Sequence, residues 1–317
     1  MRVFKKIGVH IQEGLGEVVL DPRKPCHGAI VTHGHMDHMA EGALMTPKTR
    51  DIMGVRIGSR KCTPLEYDTE REYNGFPVLL RDAGHVFGSA MVRLSNILYT
   101  GDFNPEGGVT CGRARPEECD VLIVEATYGK PGFVFGPKSD VVQDILSWAE
   151  TQLESGPVMI SGYEFGKAQE LIGLMNQIDA NVITTDRIAD IADVYRRHGV
   201  PLKYRRLSEA TEEERRSPHV FVASKSMLRH PVSPEIEFLR KIGGKACYAS
   251  GWCAIYNFER SYDIDAQFPL SDHGDFSALM SFIEECRPRR VMTTHGQSKH
   301  LAREVRRRLR IEADALD

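Results

Sequence analysis

The chain lacks the features that mark a secreted or membrane protein. It has seven cysteines in 317 residues, an odd number with no C-x-x-C spacing. This argues against a disulfide framework and favours a reducing cytoplasm. No apolar run approaches the length that spans a membrane, and the basic N-terminal residues are not followed by a hydrophobic region. We therefore expect a soluble, cytoplasmic protein that is not exported.

An overall excess of positive charge is also missing, because the formal net charge is −3. Positive charge is instead concentrated in the last segment of the sequence. We call the following residues the C-terminal basic cluster: Arg287, Arg289, Arg290, Lys299, Arg303, Arg306, Arg307, Arg308 and Arg310. Basic clusters bind phosphate groups with a strong dependence on salt. A solvated terminal helix explains residues 306–310 equally well.

The sequence THGHMDH at positions 32–38 is the strongest signal in the chain. His33 and His35 alternate by two after an apolar run, so both can reach one ion from an extended backbone. Asp37 and His38 follow where the chain turns, and they can reach a second ion beside the first. Mixed imidazole and carboxylate ligands suit zinc, with manganese or iron less favoured. The alternative is a polar, histidine-rich surface loop.

Three later segments repeat one pattern, in which an apolar strand is followed by a ligand and a small residue. His85 lies among glycines, where backbone and metal can approach closely. Asp102 follows the strand-like residues 96–100, and its two oxygens can bridge two cations. His295 follows another apolar run and precedes a glycine. Each residue alone is a weak signal, but their recurrence predicts a two-metal site.

This set of motifs resembles the metallo-β-lactamase fold. The resemblance implies a first metal bound by His33, His35, His85 and Asp102, and a second bound by Asp37, His38, Asp102 and His295. Asp21 matches an early aspartate of the family, which orients the ligand loop without touching the metal. Such a residue is expected because a histidine ligand needs a hydrogen-bond partner for its other ring nitrogen. Two zinc ions are expected as cofactors, with manganese as the alternative.

The middle of the chain resembles the β-CASP nucleases, a nucleic-acid-processing branch of that fold. Glu125 ends a buried strand, and His273 lies where a helix opens. The resemblance implies that Glu125 holds and charges His273, which acts as general acid or phosphate ligand. We expect Asp37, Glu125 and His273 to be catalytic. We expect Lys167, near a helix start, and Ser271 to bind substrate phosphate.

Within this branch the chain looks most like the ligase-associated DNA exonucleases and the similar RNA 3′-end processing exonucleases. His295 does not separate them, because RNA-processing members and the ligase-associated group both keep this histidine. The expected partner is single-stranded DNA or RNA, and the resemblance alone suggests a DNA ligase or helicase. The expected activity is two-metal hydrolysis of phosphodiester bonds, most simply as a DNA 5′-exonuclease, with RNA processing as the alternative.

The order of predicted elements gives an α/β protein with an inserted domain. Residues 181–202 look like a βαβ unit, with a strand at 181–185 and another at 200–202. We therefore predict a parallel α/β domain of the β-CASP type at residues 135–250, inserted into a metallo-β-lactamase αββα sandwich formed by residues 1–134 and 251–317. The active site is expected in the cleft between these domains.

Two other functional classes share some of these features. A small-molecule metallohydrolase acting on a thioester or lactone uses the same histidine-rich motif, but it needs neither the insertion nor the pair of Glu125 and His273. A non-catalytic nucleic-acid-binding protein is the second alternative, because inactive homologues occur in this branch. Such proteins usually lose metal ligands, and this chain keeps all seven.

Overall fold

The computed structural model describes residues 2–38, 40–228 and 233–316. The chain divides into two units, and we call Met1–Val134 with His273–Asp317 unit 1 and Phe135–Asp272 unit 2. Unit 2 ends 22 residues later than the predicted boundary at 250. The reason is a strand at Ala266–Phe268, which pairs with the strand Lys245–Ala249 and so belongs to the sheet of unit 2.

The elements of the described residues have the following bounds. The strands are β1 (Arg2–Lys5), β2 (Val9–Glu13), β3 (Gly16–Leu20), β4 (Ala29–Ile30), β5 (Leu44–Met45), β6 (Thr63–Pro64), β7 (Glu70–Tyr73), β8 (Phe76–Asp82), β9 (Ala90–Leu94), β10 (Ile97–Tyr99), β11 (Val121–Glu125), β12 (Val158–Gly162), β13 (Val182–Thr184), β14 (Arg205–Arg206), β15 (Val220–Ser224), β16 (Lys245–Ala249), β17 (Ala266–Phe268), β18 (Arg290–Thr294) and β19 (Glu312–Ala315). The α-helices are α1 (Pro47–Arg56), α2 (Lys138–Leu153), α3 (Lys167–Gln177), α4 (Asp186–Arg197), α5 (Glu212–Arg216), α6 (Pro234–Lys241), α7 (Phe276–Cys286) and α8 (Ser298–Arg308).

Two sheets form the centre of unit 1 in the described residues. The first has the order β1-β2-β3-β4-β5-β6, and the second has the order β19-β18-β11-β10-β9-β8-β7. Their facing sides share one core, in which Ile11 and Leu20 of the first sheet join Val78 and Val92 of the second. These residues follow the two-residue period that turns alternate side chains inward.

Helices cover the outer faces of both sheets in unit 1. Phe282 of α7 and Leu301 of α8 pack in one cluster with Leu122 of the second sheet. On the other side, Met53 of α1 packs with Met45 of the first sheet. The layers of unit 1 therefore run helix, sheet, sheet, helix, and the predicted α/β class is confirmed.

Unit 2 is built on a parallel sheet with the order β14-β13-β15-β12-β16-β17. The strand predicted at 200–202 is wrong, because the second strand of the βαβ unit is β14, three residues later. The Val200 N–H donates to the Tyr195 carbonyl and the Leu202 N–H to the Val200 carbonyl, so these residues close the helix end and cannot join the ladder. Among the described residues, none of the helices combines the length and apolar character needed to cross a membrane.

Candidate metal centre

Asp21 and Thr32 together fix the orientation of His33, the first imidazole of the histidine-rich loop. Asp21, directly after β3, accepts a 2.8 Å hydrogen bond from the Thr32 N–H and another of 2.8 Å from the Thr32 hydroxyl. Because that hydroxyl proton is already used, the 2.9 Å contact between Thr32 Oγ1 and His33 Nδ1 requires Nδ1 to donate. His33 therefore keeps the lone pair of Nε2 available for a metal ion.

Four side chains of the type that binds metals converge beyond Thr32. We call them the imidazole cluster, and their ligand atoms lie within 4.8 Å of one another: His33, His35, His85 and Asp102. Asp102 Oδ2 is 3.5 Å from His33 Nε2 and 3.7 Å from His85 Nε2. His85 Nε2 is 3.3 Å from His35 Nδ1. The structure thus brings together all four residues expected around the first metal.

Tight turns deliver two members of this cluster. Gly101 has a φ of +53°, and a Cβ atom on it would lie 2.7 Å from Thr32 Oγ1. Only glycine therefore allows the chain after β10 to pass this close to Thr32 and present Asp102. The loop that carries His85 is closed by Ser89, whose Oγ accepts hydrogen bonds of 3.2 Å from the N–H groups of His85 and Val86.

The electrostatics of the imidazole cluster fit a divalent cation. Burial lowers the pKa of His33 and of His35 well below 6.5, so both imidazoles are neutral and keep a lone pair. His33 Nε2 is buried without a hydrogen-bond partner in the part of the chain that the structure describes. Such an atom is costly unless a cation takes its lone pair.

The additional residues expected around a second ion are less tightly grouped. His38 Nε2 is 3.2 Å from Asp37 Oδ2, and the side chain of Asp37 is 69% exposed. The His38 ring centroid is 5.0 Å from that of His33 and 5.8 Å from that of His295. Nδ1 of both His38 and His295 is buried without a partner among the described residues. The structure brings these two histidines near the cluster and leaves Asp37 on the surface of its loop.

Glu125 and His273 form a hydrogen-bonded pair next to Asp102. Glu125 is 1% exposed, and its Oε1 accepts a 2.8 Å hydrogen bond from His273 Nδ1, while Oε2 accepts one of 2.7 Å from the Thr127 N–H. Asp102, Glu125 and His273 themselves form a compact group of ligand-type side chains. Since a carboxylate only accepts, Nδ1 carries a proton and Nε2 is left to exchange one. This arrangement suits general acid–base chemistry.

Neighbouring parallel strands position Glu125 and His295. β11 pairs with β18, with Glu125 opposite Thr294. Directly after β18, His295 and Gly296 both have left-handed backbones, with φ of +58° and +47°. A Cβ atom on Gly296 would lie 2.4 Å from the Ala126 carbonyl oxygen. Glycine is therefore required at 296 for the chain to turn here.

The two residues expected to bind phosphate both lie in unit 2. Lys167 is 1% exposed, and its Nζ lies 3.1 Å from Glu170 Oε2 and 2.6 Å from Asp272 Oδ1. Ser271, next to Asp272, is 8% exposed. A phosphate at Lys167 would have to compete with two carboxylates that already hold the ammonium group.

The C-terminal basic cluster is mostly paired with acidic side chains. Six of its nine members lie within 4.0 Å of a carboxylate oxygen: Arg287, Arg289, Arg290, Arg306, Arg307 and Arg308. Glu304 of α8, for example, serves both Arg307 and Arg308. This pairing favours the solvated terminal helix over a dedicated phosphate-binding surface.

Sequence reasoning missed two residues that organise the site. Thr32 links Asp21 to His33, and its position directly before the motif is the signal that was available. Tyr99, at the end of β10, donates a 2.9 Å hydrogen bond to Asp21 Oδ2. A tyrosine three residues before Asp102 carries no such signal, because its partner is 78 residues away in the chain.

Known proteins resemble this chain in sequence and in fold. It is 32% identical over 308 residues to a protein of Opitutus terrae named "Probable DNA ligase", and this match covers 91% of the chain and 29% of that protein. It is 25% identical over 367 residues to the Dictyostelium discoideum protein "Cleavage and polyadenylation specificity factor subunit 3", covering 86% of the chain and 46% of that protein. The chain thus spans less than half the length of these curated relatives. No family model matches it.

A solved structure shares the fold along most of the chain. The crystal structure of a protein of unknown function from Enterococcus faecalis V583 superimposes with a TM-score of 0.65 and 12% sequence identity. The match covers 94% of this chain and 95% of the other. At this level of identity the likeness concerns the fold alone.

Proposed function

We propose that this chain, a member of the β-CASP nucleases of the metallo-β-lactamase fold, hydrolyses phosphodiester bonds of single-stranded nucleic acid. The observation that carries the proposal is the pair of Glu125 and His273 beside the imidazole cluster, with Asp102 common to both groups. A metal site alone serves many hydrolases. A histidine whose Nδ1 is held by a buried carboxylate suits reactions in which an alkoxide must leave.

We assign the layered unit 1 to the metallo-β-lactamase domain and unit 2 to the inserted β-CASP domain. In the family a divalent metal is required, and we propose two zinc ions, with manganese as the alternative. The imidazole cluster would hold the first ion. Asp37, His38 and His295 would complete the second, together with Asp102.

The chemistry of this chain's own residues follows from their hydrogen bonds. When bound, two divalent cations lower the pKa of water and neutralise charge on a phosphoryl group. Asp21 and Thr32 keep His33 in the tautomer that presents Nε2. Glu125 holds the proton on His273 Nδ1, so that Nε2 can deliver a second proton to the departing oxygen.

The preferred substrate in this proposal is DNA, degraded from its 5′ end. The relative from Opitutus terrae is named as a DNA ligase, and a nuclease joined to or acting with a ligase is consistent with repair. RNA processing is the second candidate, because the relative from Dictyostelium discoideum is named for cleavage and polyadenylation. A ligase or helicase partner is part of the same proposal.

The test compares matched single-stranded DNA and RNA, labelled at either end, with zinc or manganese added. We expect loss of DNA from its 5′ end, and no hydrolysis by a His35→Ala control prepared in parallel. Cleavage of RNA alone would move the chain to RNA processing. No cleavage of either by a protein loaded with two metals would contradict the proposal and favour a small-molecule hydrolase.

The role of His273 is tested separately from metal binding. His273→Ala should lower turnover by roughly 10²- to 10⁴-fold, the usual contribution of a general acid, while the metal content per molecule stays unchanged. Glu125→Gln should have a smaller effect in the same direction, because a neutral amide still holds the ring but no longer favours its charged form. Loss of metal from His273→Ala would show that this residue is a ligand instead.

A further inference from the structure

Two cysteines of unit 1 meet at the far ends of the elements that carry Glu125 and His273. Cys119 lies two residues before β11, the strand that ends at Glu125, and Cys286 is the last residue of α7, which opens just after His273. The two residues are 8% and 0% exposed, respectively. Both belong to the core between α7 and the second sheet.

The backbones of these two cysteines are in direct contact. The Cys119 N–H donates a 3.2 Å hydrogen bond to the Cys286 carbonyl. Disulfides form at α-carbon separations of about 4.4 to 6.8 Å. The two thiols also hydrogen-bond to each other, so the side chains point toward one another.

We propose that Cys119 and Cys286 are an oxidisable dithiol, which closes to a disulfide when a peroxide reaches it. The bond ties the loop before β11 to the end of α7, and so clamps the frame that holds Glu125 against His273. The proposal does not depend on the metal or on nuclease activity. It concerns a covalent modification of unit 1 that neither the sequence motifs nor the relatives indicate.

The surroundings of the two sulfurs assign their roles in this reaction. The hydrogen bond from the Cys286 thiol lowers the pKa of Cys119, and the guanidinium of Arg93 acts in the same direction. The pKa of Cys286 is raised by the same hydrogen bond and by burial. Cys119 is also the more exposed of the pair. It is therefore the attacking thiolate, and Cys286 is the resolving thiol.

The atoms and electrons balance with peroxide as the only co-reactant. The Cys119 thiolate attacks one peroxide oxygen, the O–O bond breaks, and a sulfenic acid forms with release of hydroxide. The Cys286 sulfur then attacks the Cys119 sulfur, the S–O bond breaks, and the oxygen leaves as water with the Cys286 proton. Two thiols lose two electrons in total, and one hydrogen peroxide becomes two waters.

The other cysteines provide matched comparisons. Cys247 in unit 2 is 0% exposed, and burial raises its pKa well above 9.0. It should stay reduced. Cys26 and Cys62 are more exposed than Cys119, and burial raises the pKa of both. These two report whether the oxidant has reached ordinary thiols.

The test treats the full chain with hydrogen peroxide and follows intact mass and non-reducing peptide maps. We expect loss of two hydrogen atoms, a fall of the free thiols by two from seven, and one cross-linked peptide pair joining Cys119 to Cys286. Cys119→Ser should abolish the cross-link, whereas Cys247→Ser should not. If Cys119→Ser fails to fold, the peptide map of the unaltered protein decides alone.

Two results would overturn the proposal. One is a protein in which Cys26 and Cys62 are oxidised while Cys119 and Cys286 still react with a thiol reagent after unfolding. The other is added oxygen on Cys119 without a cross-link. The oxidised protein should also unfold at a higher temperature, because the cross-link constrains a long loop of the unfolded chain, and a lower unfolding temperature would contradict the clamp.

Discussion

Each unit buries a group of ionisable side chains, and the two groups are built in opposite ways. In unit 2, Lys167 is bound by Glu170 and Asp272, and Glu170 is also 2.7 Å from Lys138. Positive and negative charges are equal in number there and satisfy one another. In the imidazole cluster of unit 1, neutral rings converge on one carboxylate, and His33 Nε2 is left without a partner among the described residues.

The paired charges of unit 2 therefore have the character of a structural element, whereas the imidazole cluster of unit 1 has that of a binding site. Paired buried charges are stabilised by the protein itself, and removing one partner is what makes them costly. Converging lone pairs gain nothing from each other and need a cation from outside the chain. Perturbing the two groups in the same way should therefore give different outcomes, in metal binding for unit 1 and in folding for unit 2.

The largest expected effect comes from breaking the imidazole cluster. His33→Ala should lose the first metal and lower nuclease turnover by roughly a thousandfold or more, because several kcal/mol of transition-state stabilisation depend on that ion. Metal analysis and turnover are measured together. The control is His10→Ala, which removes another histidine of unit 1, one paired with Glu17 at 2.9 Å. Full metal content in His33→Ala would show that metal binding does not depend on the imidazole cluster, and would contradict the difference drawn between the two groups.

Breaking the paired group should act on folding instead. Lys167→Met leaves the buried Glu170 and the half-buried Asp272 with one cation fewer, and the free energy of unfolding should fall by about 3–5 kcal/mol. Urea unfolding measures this change, and metal bound per molecule should stay the same. Lys203→Met, at an exposed position, should change stability by less than about 0.5 kcal/mol. Equal effects of the two substitutions would mean that the pairing contributes nothing.

The two groups should also respond differently to acid in the metal-free protein. Burial places the pKa of His33 and of His35 below 6.5 in the folded state, so the unfolded chain binds more protons once the pH falls through that value. Stability is then complete above about pH 6.5 and declines below it, by up to about 1.4 kcal/mol per residue and pH unit. Urea midpoints at several pH values measure the decline, which His33→Asn with His35→Asn should reduce. If stability still declines below pH 6.5 in the double variant, groups other than His33 and His35 cause the decline.

The smallest expected effect concerns the support of the cluster. Tyr99→Phe removes one of the hydrogen bonds to Asp21, costs about 1 kcal/mol of stability, and should weaken metal affinity roughly tenfold. Tyr73→Phe is the matched control, because its hydroxyl donates a 3.1 Å hydrogen bond to the Ala29 carbonyl and not to Asp21. Metal titration of both variants separates the two roles. Equal affinities would assign Tyr99 to packing alone.

The same comparison explains what the sequence could predict. The imidazole cluster was predictable because metal ligands are chemically distinctive and each follows a short apolar strand, as at His33 and Asp102. The pairing of Lys167 was not, because its partner Asp272 lies 105 residues further along the chain. A lysine near a helix start looks the same whether a phosphate or a carboxylate faces it.

Element positions were predictable where apolar residues are dense, and less so at the edges. The α/β class and the parallel strands β12, β13, β15 and β16 follow from such runs. The strand at 205–206 consists of two arginines, which carry no hydrophobic signal, so the prediction settled on the apolar residues 200–202. The strand β17, which extends unit 2 beyond residue 250, gives a similarly weak apolar signal because it is only partly buried.

The pairing of β11 with β18 has a consequence for how the protein is made. These strands lie side by side in the sheet of unit 1, yet all of unit 2 lies between them in the chain. During synthesis, the ribosome must therefore complete unit 2 before β18 can emerge and join its neighbour. While unit 2 is being made, His273 and His295 are still absent, and the exposed edge of β11 is open to wrong partners. Rapid folding of the inserted unit shortens the chain that must close between the two strands.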